Sequence, residues 1–148
     1  MRIAIACDHA GYCLKNNLIK HLKKSGHNVQ DFGCSSSDSC DYPDYAYPAA
    51  QSVADGDNDR GILICSNGIG MCMVANRVPG ITGALVYSLE TAETTRKHHN
   101  SNVLCLGAKE FSENELVKMV DIWLETAFDG GRHERRMEKV TAPDRNSK

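Results

Sequence analysis

Gly61-Ile62-Leu63-Ile64-Cys65-Ser66-Asn67-Gly68-Ile69-Gly70 is the stretch on which the fold turns. Gly61 to Ile64 is an apolar run with two isoleucines, short enough for a strand buried on both faces. Behind it come a cysteine, two polar residues and a glycine turn, then a segment from Met71 to Arg77 that reads as a helix. A buried strand passing through a tight turn into a helix is the repeating unit of a parallel α/β sheet.

The same unit recurs on both sides. Arg2 to Cys7 reads as a strand, and Leu14, Leu18 and Leu22 recur at i, i+4 and i+8 in a following helix that Ser25-Gly26 ends. Asn28 to Phe32 is a second strand, Gly33 to Asp44 a long polar loop, and Asp44 to Ala54 a helix whose start Pro48 is expected to delay. Beyond the central stretch, Thr82 to Val86 and Val103 to Leu106 read as strands, and Leu89 to His98 and Glu113 to Thr126 as helices. A basic tail begins near Gly130. The expectation is a single domain over residues 1–148, an α/β doubly wound, Rossmann-like sheet of five parallel strands with helices on both faces.

Composition narrows the functional classes. A net charge of −2 does not suit a polyanion binder, so no nucleic-acid partner is expected. No apolar run reaches the ~18 residues of a membrane span. Met1 to Ala6 is too quickly followed by Asp8 and His9 to resemble a signal peptide, and the expected location is cytoplasmic. The seven cysteines are odd in number and show no C-x-x-C spacing, which favours free thiols over disulfides or structural zinc.

In such sheets ligands bind beyond the carboxyl ends of the strands. Reactive side chains gather after strands one and three: Asp8 and His9, then Cys65 to Gly70. A glycine turn opening a helix presents unpaired N–H groups that can cradle an oxyanion or phosphate, and it favours the reactive form of a cysteine placed there. The dinucleotide fingerprint lacks its third glycine, and a phosphatase loop would need arginine where Met71 stands. Asp8 reads either as a helix cap or as pointing into the cleft with His9, one of the two handling a sugar hydroxyl and the other a phosphate. His98 and His99 are either solvated or functional, and lack a regularly spaced third metal ligand. Arg132 and Arg136 share one face if helical, forming either a phosphate clamp or a solvated surface.

Taken together, these segments resemble the ribose-5-phosphate isomerase B family, which includes the galactose-6-phosphate isomerases. The carriers are Ile5 to Gly11, Asp41 to Ala46, Gly61 to Met71, Ala75 to Ile81, Arg96 to His98, Asn102 to Gly107 and Gly130 to His133. The resemblance implies an aldose–ketose isomerase without metal or organic cofactor, acting on a sugar phosphate. It implies Cys65 as the proton-transferring base, His98 and Asp8 in ring opening, and a backbone oxyanion hole within Ser66, Asn67, Gly68, Ile69 and Gly70. It further implies that His9, Arg132 and Arg136 hold the phosphate, that Tyr45 and His99 line the substrate site, and that the protein is a homodimer or dimer of dimers. Ribose 5-phosphate is the expected substrate, with a hexose 6-phosphate (allose or galactose) or a catalytically impaired paralogue as alternatives. The chain departs from the family at Ser66-Asn67, at His99 and at Cys7. Asn67 is expected to face the C1–C2 end of the sugar and to leave less room for a sixth carbon.

Overall fold

A computed structural model describes residues 1–142, so the end of the basic tail lies outside the described residues. Strands β1 (Arg2–Cys7), β2 (Asn28–Asp31), β3 (Arg60–Cys65), β4 (Gly83–Leu85) and β5 (Val103–Gly107) form one parallel sheet in the order β2-β1-β3-β5-β4. The α-helices are α1 (Tyr12–Lys24), α2 (Pro43–Ala54), α3 (Ile69–Ala75), α4 (Leu89–His99), α5 (Glu113–Glu125) and α6 (Arg132–Thr141). A 3₁₀ turn, His9–Gly11, precedes α1. The doubly wound sheet expected from the sequence is the one observed.

Alternation along the central strands sorts the core into two layers. Ile3, Ile5, Ile62, Ile64, Leu104 and Leu106 face α1 and α5, where Leu18, Leu22, Val120 and Trp123 are also fully buried. The opposite face carries smaller residues, Ala4 and Ala6 among them, against Ala46, Ala49 and Ala50 of α2 and Met71 and Ala75 of α3. Alanines on both surfaces let α2 approach the sheet closely, which brings the ends of α2 and α3 over the carboxyl ends of β1 and β3. Trp123 satisfies its indole N–H on Ser101 Oγ at 2.8 Å, so its burial leaves no orphan donor.

Two local expectations change. Helix α2 begins at Pro43, and Pro48 sits inside it on the exposed side. Proline forfeits one helical hydrogen bond there, a loss that water can repair at the surface. Helix α3 starts at Ile69 rather than Met71, because Asn67 Oδ1 accepts the Ile69 N–H at 3.0 Å and so closes its first turn. The tail is helical from Arg132.

Lys15 is the one buried lysine among the described residues, 2% exposed, and it ties α1 to the end of β2. Its ammonium donates to Asp31 Oδ1 and Oδ2 at 2.8 and 2.7 Å and to the Cys34 carbonyl at 2.8 Å. These bonds fix the start of the loop that crosses the carboxyl end of β1. Lys15→Met keeps the apolar stem and removes the donor. Leaving the Cys34 carbonyl without it is expected to cost about 1–3 kcal/mol in urea unfolding; an unchanged midpoint would show that Lys15 does not hold this loop.

Candidate active site

The chain leaves β1 toward β2 on one side of the sheet and leaves β3 toward β4 on the other. The crevice of this doubly wound sheet therefore opens between the carboxyl ends of β1 and β3. Asp8 and His9 follow β1, and Cys65 to Gly70 follow β3, so the fold brings both clusters to that crevice.

Cys65 is 5% exposed, and its Sγ accepts the Gly68 N–H at 3.1 Å. Gly68 adopts φ +79°, and a Cβ there would stand 2.6 Å from Leu85 Cδ1 and 2.9 Å from the Leu106 carbonyl carbon. Only glycine permits this turn, and the turn is what folds the amide back onto the sulfur. Gly70 is required for a different reason: an added Cβ would lie 2.7 Å from the ring of Tyr42, which covers the first turn of α3. The Asn67 amide is exposed, and its Oδ1 lies 4.0 Å from Cys65 Sγ while capping Ile69. The cap accounts for this oxygen, a use the sequence did not reveal. Ser66 is half-buried, and its carbonyl accepts the Lys109 N–H at 3.1 Å.

Asp8 does cap the 3₁₀ turn, through Oδ1 to the N–H groups of Ala10 at 2.9 Å and Gly11 at 3.3 Å. Its second oxygen makes no hydrogen bond among the described residues, so the cap and a ligand-binding role are compatible. His9 is held by the long loop. The Cys40 N–H donates to its Nδ1 at 3.3 Å, which assigns the ring proton of the neutral histidine to Nε2. Tyr45 is half-buried beside Cys40 and Cys34, and burial raises its hydroxyl pKa. Burial likewise raises the Cys40 thiol. Neither Cys40 nor Tyr42 was singled out from sequence, since both act through tertiary contacts that no spacing announces.

The remaining residues of the set lie elsewhere. Because α4 returns antiparallel to the strands, His98 and His99 at its end reach the amino pole of the sheet. His99 lines a cleft there with Asp59 and Arg60, at the start of β3, whereas Cys65 closes that strand. At ~3.3 Å per residue the strand alone separates the two poles by roughly 17 Å. Helix α6 packs on α4 and brings exposed Arg132 and Arg136 to the same pole. His133 is buried between them and stacks on His98, with ring centroids 4.1 Å apart and planes 5° from parallel. Burial first, then His98 and the flanking Arg132 and Arg136, lower its pKa.

Arg96 braces this pole from beneath. It is 3% exposed, and its guanidinium donates to Asn100 Oδ1 at 3.0 Å and to the Ser101 carbonyl at 2.6 Å. Burial, and then the charge of Arg60, lower its pKa to about 10. Cys72 is a further thiol that sequence reasoning passed over; a hydrogen bond from Cys105 is the main cause lowering its pKa to about 7.

Comparison with known proteins identifies the family. The family model described as Ribose/Galactose Isomerase matches residues 3–140. A probable ribose-5-phosphate isomerase B of Mycoplasma genitalium is 46% identical over 140 residues, covering 93% of this chain and 92% of the relative. The solved ribose-5-phosphate isomerase B of Clostridium thermocellum superposes with a TM-score of 0.94 at 41% identity, covering 95% of each chain. That of Mycoplasma genitalium, solved with bound ribulose-5-phosphate, gives a TM-score of 0.91 at 45% identity over 95% of this chain and 93% of the other. With a family model matching nearly the whole chain and close relatives aligned end to end, the protein belongs to the Ribose/Galactose Isomerase family.

Proposed function

We propose that this protein interconverts ribose 5-phosphate and ribulose 5-phosphate, with Cys65 as the base, at sites shared between two copies of the chain. The observation that carries the reading is the position of Cys65 Sγ, buried at the mouth of α3 and held by the Gly68 N–H at 3.1 Å. Membership in a family with a ribulose-5-phosphate-bound relative supplies the substrate class.

In this mechanism the partner subunit's His98 opens the furanose by moving a proton between the anomeric hydroxyl and the ring oxygen, while Asp8 holds a neighbouring hydroxyl. The Cys65 thiolate then removes the proton from C2 of the open aldose. The C2–H electron pair becomes the C1–C2 double bond of a cis-enediolate, and the former carbonyl oxygen on C1 takes the negative charge. N–H groups within Ser66 to Gly70 receive that charge, as preorganised donors do in other enolising sites. Because Asn67 Oδ1 occupies the Ile69 N–H in the free protein, this amide must turn aside for that donor to be used. The hydroxyl proton of O2 passes to O1, and Cys65 returns its proton to C1, leaving a ketone at C2. No organic cofactor or metal enters any step. His9, with its Nε2–H free, and the partner subunit's Arg132 and Arg136 bind the phosphate and orient C1 and C2 against the sulfur.

The test is isomerisation of ribose 5-phosphate by purified protein, with allose and galactose 6-phosphates as comparison substrates. Cys65→Ala is expected to lower kcat by roughly 100- to 10,000-fold, the usual weight of a general base, with the fold intact by circular dichroism. Turnover at the wild-type rate in that variant would remove Cys65 from the mechanism. Arg132→Ala is expected to act mainly on KM, raising it by about ten- to a hundredfold, the loss of a charge-assisted hydrogen bond. An unchanged KM would make α6 a solvated face.

A further inference from the structure

We propose that His98, Asp129 and His133 form a binding site for a first-row divalent transition metal such as Zn²⁺, and that a metal held there inhibits the isomerase by engaging His98. The inhibitory half rests on the role of His98 given above; the binding half does not.

The ligand atoms of these three residues lie within 4.8 Å of one another, and they come from three separate segments. His98 is in the last turn of α4, Asp129 in the connection that follows α5, and His133 in the first turn of α6. Backbone bonds hold the three segments in place. The Asp129 N–H donates to the Lys97 carbonyl at 3.0 Å, and the His133 N–H to the Gly130 carbonyl at 3.1 Å. Two imidazoles and a carboxylate are the donor set by which zinc is bound with a position left for water, and the same set serves related first-row ions. Imidazole ligation selects against Mg²⁺ and Ca²⁺, which take oxygen.

The site has to close to bind. Ligands arranged tetrahedrally at about 2.0–2.1 Å stand roughly 3.3 Å apart, so a spread of 4.8 Å must contract. The rings also stack 4.1 Å apart and 5° from parallel, so their in-plane lone pairs lie in parallel planes and one ring must rotate for both to meet a single ion. The means are present. Asp129 is exposed and is followed by Gly130 and Gly131, both at positive φ, and His98 is only half-buried at a helix end. Arg132 and Arg136 oppose a dication, which makes the affinity weaker than that of a structural zinc site. These features describe a site that responds to rising metal concentration and releases the ion to a chelator.

The experiment titrates wild type, Asp129→Ala and His133→Ala with Co²⁺, read by visible absorption, and with Zn²⁺, read by isomerase activity. One Co²⁺ per chain is expected to bind with a nitrogen–oxygen spectrum, and Zn²⁺ to inhibit in a way that EDTA reverses. Asp129→Ala is expected to weaken Co²⁺ binding at least roughly tenfold and to raise the half-inhibitory Zn²⁺ concentration in proportion, with metal-free turnover unchanged. Equal Co²⁺ affinity in wild type and both variants would overturn the site. So would a spectrum dominated by thiolate charge transfer, because the chain's seven cysteines would then be the ligands. Variant-sensitive Co²⁺ binding by a protein without isomerase activity would overturn the functional reading and leave the metal site standing.

Discussion

A parallel sheet has two chemically distinct poles, and the direction of its strands decides which residues each pole receives. Every strand here runs the same way, so every turn that follows a strand lies at one end and every helix that precedes a strand finishes at the other. Cys65 follows β3, and His98 ends the helix that leads into β5. No side-chain movement closes a gap of the length of a strand. The constraint is topological, and it divides the residues proposed for the site between two poles: Asp8, His9, Tyr45 and Cys65 to Gly70 at the carboxyl pole, and His98, His99, Arg132 and Arg136 at the amino pole. Two copies related by a twofold axis can place one pole against the other, and closed pairs of this kind are the commonest oligomers.

Each pole is built stiffly by different means. At the carboxyl pole the close approach of α2, through alanine packed on alanine, sets Tyr42 over Gly70 and Tyr45 beside Cys40. The Gly68 turn then folds an amide onto the sulfur, and Lys15 anchors the loop whose Cys40 N–H fixes the tautomer of His9. At the amino pole buried Arg96 braces the connection after α4, and His133 backs His98 as a parallel plate. Rigid support of this kind is what the proposed proton transfer requires, since its rate depends on how closely the reacting groups are positioned.

Much of this was legible in the sequence, for identifiable reasons. The central strands announce themselves because they are buried on both faces and read as unbroken apolar runs. The switch-point rule then places Asp8, His9 and Cys65 at one crevice with no knowledge of side-chain contacts. The amino pole was less legible: His98, Arg132 and Arg136 have bland readings as solvated residues, and the resemblance to a family rather than their spacing drew them together. The capping of α3 by Asn67, the hold of Cys40 on His9 and the stacking of His133 on His98 were not legible at all. Each depends on a backbone turn or an interhelical contact that residue order does not encode locally. Pro48 misled in the opposite direction, because a local rule against proline gave way to the packing of the alanine face around it.

The central claim is that one chain supplies Cys65 and another supplies His98 to each site. It is tested most directly by mixing Cys65→Ala and His98→Ala chains under conditions where subunit exchange is followed independently, by mass or by fluorescence transfer. Equal mixing of exchanging dimers leaves one intact site in each hybrid, or about one quarter of the wild-type number of sites, and activity should recover to that level from two inactive parents. Complete exchange without recovery would contradict the account and require Cys65 and His98 to work within a single chain.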